Sequence, residues 1–302
     1  MIEQSGSELR ALFGLPEGIA YLNCAALAPT LAPACEAGLR GMMARARPWS
    51  LSPEKLTAEV GRARSLFAGL IGASTRDIAI VPATSYGIAV AARNVPLGVG
   101  QRVILPAGQH YSNVFPWLAR ARETGASVVA VPGPMASSWT PALLKAIDER
   151  AAVVAVPNCD WLDGRMVDLD AVATRCRQVG AALVIDATQS LGVLPLDVGR
   201  LRPDFVACSA FKWLLGPSNI GLLYAAPAHH EGTPIEHHVL NRTHYLSPRS
   251  QPGIAVSEEF VPGASRFDMG QRDQHILIPM LTAALATLDG WGVGEVSRRI
   301  ES

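Results

Sequence analysis

What this 302-residue sequence lacks narrows its possible functions first. It has no net charge, with 26 basic residues against 26 acidic. No block of like charge stands out, which argues against a nucleic-acid or membrane-surface partner. No apolar run approaches the ~18 residues needed to span a bilayer. The opening Met-Ile-Glu-Gln-Ser-Gly-Ser-Glu has neither a basic nor an apolar leader region, so no signal peptide is expected. Cys24, Cys35, Cys159, Cys176 and Cys208 are odd in number and contain no Cys-x-x-Cys pair. They read as free thiols of a reducing compartment, with the cytoplasm as the expected location. A Gly-x-Gly-x-x-Gly fingerprint, a P-loop, a nucleophile elbow and an internal repeat are all missing, which weakens nucleotide-binding and hydrolase readings.

What is present is a chain 49% apolar and 17% charged, long enough to bury a substantial core in one or two domains. From residue 77 onward short apolar runs alternate with helical patterns. Strands are expected over 78–81, 103–105, 128–131, 152–156, 183–185, 205–208 and 221–224, which predicts an α/β fold with a mostly parallel sheet. Helices are expected at 7–13, closed by Gly14, and from a Thr30 cap through Arg45. Another should run from the Ser52-Pro53 start to Gly72, and others from Thr140-Pro141, from Asp168 to Gly180, and from 276 to 288 with Gly290 beyond.

Two of these strands carry chemistry at their carboxyl ends, where open α/β sheets bind ligands. The run 183–185 stops at Asp186-Ala187-Thr188-Gln189, and the run 205–208 stops at Ser209-Ala210-Phe211-Lys212-Trp213. One Asp or one Lys after a strand is ordinarily a turn residue or a solvated charge. Held together in one crevice, they suit pyridoxal phosphate, with the amine bonding the aldehyde and the acid pairing with the pyridinium nitrogen. Upstream, Thr84 and Ser85 open a helix directly after a strand, where free N–H groups and the helix dipole attract phosphate. His229-His230 and His237-His238 invite a metal reading, but the residues between them look like a loop and no helical pair supports it, so no metal is expected.

The joint pattern resembles the class V aminotransferase family, fold type I enzymes dependent on pyridoxal phosphate that include cysteine desulfurases, kynureninases and isopenicillin N epimerase-like proteins. It spans Asp-Ala-Thr-Gln, Ser-x-x-Lys-Trp-Leu-x-Gly-Pro, Gln109-His110-x-x-Asn-x-x-Pro-Trp and Arg266-Phe267-Asp268-x-Gly-Gln. The resemblance implies a large domain with a mostly parallel central sheet flanked by helices on both faces. It makes Lys212 the Schiff-base lysine, Asp186 the ionised partner of the ring nitrogen, and His110 the ring that stacks on the cofactor. Gln189 reaches the phenolic oxygen, with Asn158 and, less well, Asp160 as further candidates. Thr84, Ser85 and Ser209 bind the phosphate, Gln271 reaches the phosphate of a neighbouring subunit, and Asn23 lies near the substrate. The expected activity is transamination, elimination or epimerisation of a small amino acid in a homodimer with its active site at the interface. One departure is Phe211, where cysteine desulfurases commonly carry histidine, which counts against that branch.

The resemblance covers residues 20 to 295. Residues 1–20 are expected to be an N-terminal segment, 21–290 the cofactor domain, and 291–302 the start of a small C-terminal domain that is largely missing. That domain normally brings a substrate-binding arginine and, in desulfurases, a persulfide-forming cysteine, neither of which can be placed here. The alternative is a non-catalytic or truncated protein of the same fold serving as a partner subunit.

Overall fold

The computed structural model describes residues 6–133, 138–243 and 257–302. Ahead of the sheet come α1 (Gly6–Ala11), α2 (Ala32–Arg45) and α3 (Pro53–Ile71). Strand β1 (Ile78–Val81) leads into α4 (Thr84–Asn94), and β2 (Arg102–Pro106) is followed by α5 (Phe115–Thr124). Then follow β3 (Ser127–Val131), α6 (Thr140–Ala146), β4 (Ala151–Pro157), α7 (Leu169–Val179) and β5 (Ala182–Asp186). The one-turn α8 (Val198–Leu201), β6 (Phe205–Ser209), β7 (Gly221–Ala225), α9 (Leu277–Trp291) and α10 (Val293–Glu301) complete the order.

The strands form one sheet in the order β1-β7-β6-β5-β4-β2-β3. Every pairing is parallel except those of β7, which runs against both β1 and β6. Pro157 pairs with Asp186, and Asp186 with Ala207, so the carboxyl ends of β4, β5 and β6 lie side by side. The apolar runs alternate between two cores, as a period of two requires. Ile80, Ile104 and Ile185 face α3, α6, α7 and α9, whereas Val81, Val103 and Val184 face α4 and α5. Each fully buried Ile or Leu contributes about 1.5–3 kcal/mol relative to exposure, so helices on both faces are what make continuous apolar strands stable.

Most helix ends fall where the punctuation residues predict. Ser52 Oγ accepts the Lys55 N–H at 3.2 Å to start α3, and Gly72 ends it in the left-handed region at φ 68°. Asp168 accepts the Ala171 N–H at 3.0 Å to start α7. Three expectations are corrected. The N-cap of α2 is Leu31, not Thr30; Leu31 is fully buried, so packing sets that entry. Thr140 lies inside α6, its hydroxyl accepting the Asp168 N–H at 2.9 Å instead of capping its own helix. Helix α9 runs through Gly290 and stops at Gly292, whose φ of 74° is the conformation that glycine adopts readily. No single described helix is long and apolar enough to cross a membrane.

Candidate active site

Asp186 closes β5, and Lys212 lies three residues past the end of the adjacent β6, so the sheet itself brings an acid and an amine to one rim. Both open into a cavity of about 180 Å³ at the carboxyl ends of the strands, with His110, Gln189, Thr84 and Ser209 also in its wall. Six of the candidates read from the sequence therefore meet in one place.

Asp186 is 7% exposed, and its Oδ1 accepts the Thr188 N–H at 3.0 Å. Burial pushes its carboxyl above the ordinary range, against the opposing pull of the Thr188 hydrogen bonds, His110 and Lys212. Desolvation thus outweighs the stabilising contacts of the protein's own groups. Burial pushes the Lys212 amine down, with Asp186 and Cys208 opposing. A depressed amine is neutral at lower pH and so is a better nucleophile.

His110 sits in the turn after β2. Its Nδ1 accepts the Ser112 N–H at 3.2 Å, which in the neutral ring places the proton on Nε2. Trp161 meets the imidazole edge-on, with centroids 5.2 Å apart and planes at 89°. Gln189 is anchored at both ends of its amide. Its Nε2 donates to Ala25 O at 3.0 Å and its Oε1 accepts from the Trp213 indole at 2.9 Å. One Nε2 proton remains for a ligand.

The other end of the cavity is a knot of hydroxyls. Thr84 Oγ1 lies 2.7 Å from both Thr188 Oγ1 and Ser209 Oγ, and the Thr84 N–H donates to Ser209 Oγ at 3.1 Å. It stands at the first turn of α4, where backbone donors have no carbonyl a turn earlier. Such a donor set, free of carboxylates, suits a phosphate. Gln109 adds a second feature that fits a polar ligand. It is 5% exposed and lines the cavity, and its Nε2 is buried without a protein acceptor, a state that native proteins seldom leave unmet.

Five candidates lie elsewhere. Ser85 is exposed on α4 and outside the cavity wall, because consecutive helical residues point about 100° apart. Asn158 is buried, but the wall takes its neighbours Pro157 and Cys159; alternation along an extended segment turns Asn158 to the opposite side. Asp160 is committed to its own turn, accepting the Leu162 N–H at 2.9 Å. Asn23 is exposed, although its segment does pass the site through the Ala25 bond to Gln189. Gln271 is exposed beside Arg45 and His275 in a separate surface depression. The histidine pairs are tied individually: His229 to Asp204, His230 to Ala225 O, His237 to Arg242 and His238 to Asp268 O. No group of three ligating side chains occurs among the described residues.

Thr188, Trp161 and Gln109 are cavity residues that motif reading passed over. Thr188 was visible two positions after Asp186, and Gln109 immediately before His110. Nothing in the sequence marks Trp161, whose place depends on how the loop after β4 folds back over β2.

A family model described as Aminotransferase class-V matches residues 28–238. The chain belongs to the class V aminotransferase family. Over 173 residues it is 30% identical to a probable cysteine desulfurase of Methanothermobacter thermautotrophicus, covering 57% of this chain and 43% of that one. The match thus spans less than half the length of such curated relatives. A solved apo cysteine desulfurase from Thermococcus onnurineus NA1 superposes with a TM-score of 0.84 at 21% identity, over 98% of this chain and 73% of the other. A C-DES mutant, solved with glycine covalently linked to its PLP cofactor, superposes with a TM-score of 0.83 at 19% identity, over 95% and 75% of the two chains. These two share the fold.

Proposed function

We propose that this chain is a pyridoxal-phosphate-dependent enzyme acting on a small amino acid, by transferase, lyase or epimerase chemistry. One observation carries the reading: Lys212 and Asp186, at the ends of adjacent strands, open into the same cavity as His110. Bound there, pyridoxal phosphate would supply an aldehyde for an amine to condense with and a protonated ring that draws electrons from the substrate's α-carbon. Lys212 Nζ is the amine placed to anchor the aldehyde and, once released, to carry a proton to or from that carbon. The Asp186 carboxylate would hold a proton on the ring nitrogen, and that cation is the partner its buried oxygens lack. His110 would cover the ring, with Trp161 fixing its tilt. The spare Gln189 N–H would reach the phenolic oxygen, and the hydroxyls of Thr84 and Ser209 would take the phosphate. Relatives named cysteine desulfurases favour lyase chemistry on a cysteine-like substrate.

The same reading treats 21–290 as the cofactor-binding unit, 1–20 as a leading segment and 291–302 as the start of a second unit. It places the protein in the cytoplasm as a homodimer. Exposure of Gln271 away from its own cavity supports a role towards the partner's phosphate. Sedimentation of a cofactor-loaded monomer would remove the dimer. The central test is spectroscopic: addition of pyridoxal phosphate should give a yellow species that borohydride bleaches and fixes to the chain. Lys212→Ala should abolish fixation, and fixation retained in that variant would refute the reading.

A further inference from the structure

Thr188 lies within the acid motif without a role assigned to it, yet it touches both ends of the site. Its N–H holds Asp186 Oδ1 at 3.0 Å, while its hydroxyl lies 2.7 Å from Thr84 Oγ1 and accepts the Ser209 N–H at 3.5 Å. The hydroxyl knot is also over-supplied with protons. Thr84, Thr188 and Ser209 bring three O–H groups, but only two O···O contacts join them. The N–H groups of Thr84 and Ser209 donate into the same cluster. At least one hydroxyl proton therefore has no acceptor within it. Thr84 and Ser209 are 4% and 6% exposed, whereas Thr188 is half-buried and lines the cavity, into which the surplus proton can point. Phe211, in the wall of the same cavity, contributes no side-chain donor.

We infer that Thr188 is a positioning residue that ties the two ends of the site together, its backbone aiming Asp186 and its hydroxyl acting as a third donor to the bound phosphate. The inference rests on the cofactor reading above and adds a residue to it. When an anion enters, the three hydroxyls turn their protons outward and the contacts between them are exchanged for bonds to phosphate oxygens. Because the same residue pins Asp186, one short segment, residues 186–188, ties the acid that would face the ring to the hydroxyls that would face the phosphate.

The test separates phosphate from ring. Pyridoxal phosphate and pyridoxal, which lacks the phosphate, are titrated by absorbance into the purified wild-type chain, Thr188→Val and Thr188→Ser. Loss of one hydrogen bond to a charged group should weaken pyridoxal phosphate binding by about tenfold or more in Thr188→Val, with pyridoxal binding unchanged. Thr188→Ser, which keeps the hydroxyl, should bind both as the wild type does. Retained pyridoxal binding reports an intact ring site, so a folding defect would be seen as loss of both ligands. Pyridoxal phosphate binding that survives Thr188→Val, or that falls as far in Thr188→Ser as in Thr188→Val, overturns this assignment alone. A wild-type chain that binds neither aldehyde overturns the cofactor reading and the assignment with it.

Discussion

The Trp161 indole donates to the Gly108 carbonyl at 2.9 Å while its ring edge rests against His110. A residue in the loop after β4 thereby fixes a histidine in the loop after β2. The bond spans 53 positions of sequence and bridges two neighbouring strands of the sheet. Gly108 presents that carbonyl from a left-handed turn at φ 77°.

Trp161→Phe keeps an aromatic edge but loses the donor, and should cost about 0.5–1.5 kcal/mol of stability. Trp161→Ala also strips a wall of the cavity and frees the imidazole, so cofactor affinity should fall several-fold beyond the Phe variant. Denaturant titration and cofactor titration of both variants check this order. Equal affinities in Phe, Ala and wild type would show that His110 needs no such support.

Asp186 and Lys212 make the stability of the cofactor-free chain sensitive to pH. The raised carboxyl of Asp186 contributes stability that is complete below its ordinary value near 3.8 and is lost as pH rises through its folded value. The depressed Lys212 amine contributes stability that is present above 10.5 and lost as pH falls through its folded value. Burial therefore disfavours the charged form of both groups. Asp186→Asn should resist denaturant better than the wild type at neutral pH without cofactor, with the gap closing towards acid, yet bind cofactor worse. Urea unfolding across pH measures this, and a gap independent of pH would contradict it.

Asp268, fully buried, accepts from Arg64 at 2.5 Å, from Arg272 at 2.9 Å and from the Ile80 N–H at 2.9 Å. Arg64 is itself 4% exposed, so removing its partner strands a buried cation. Asp268→Ala should destabilise by about 3–5 kcal/mol, read by chemical denaturation. A loss near that of an exposed ion pair, below about 1 kcal/mol, would mean that water replaces the carboxylate.

The strands were legible because buried runs of four to seven residues ending in turn residues have few other meanings in an α/β chain. Asp186, Lys212, His110, Gln189, Thr84 and Ser209 were legible as members of motifs placed at strand ends. Ser85, Asn158 and Asp160 were not separable from those motifs by type alone. Which side of a helix or extended segment faces a cavity depends on a phase that one residue shifts. The pull on Asp186 was equally hidden, since desolvation is a property of the finished core. Trp161 lay beyond reach because its contacts join loops whose folded paths no local pattern encodes.

Antiparallel β7 has a consequence for assembly. Wedged between β1 and β6, it starts with Gly221, where a Cβ would come within 2.9 Å of Cys208 O and 3.4 Å of Ala83 C. That bare position lets the Ala83–Thr84 turn cross the strand and meet Ser209 from 125 residues away. The hydroxyl trio depends on that strand being seated, so a coenzyme gripped by all three hydroxyls would hold the β1-β7-β6 pairing closed.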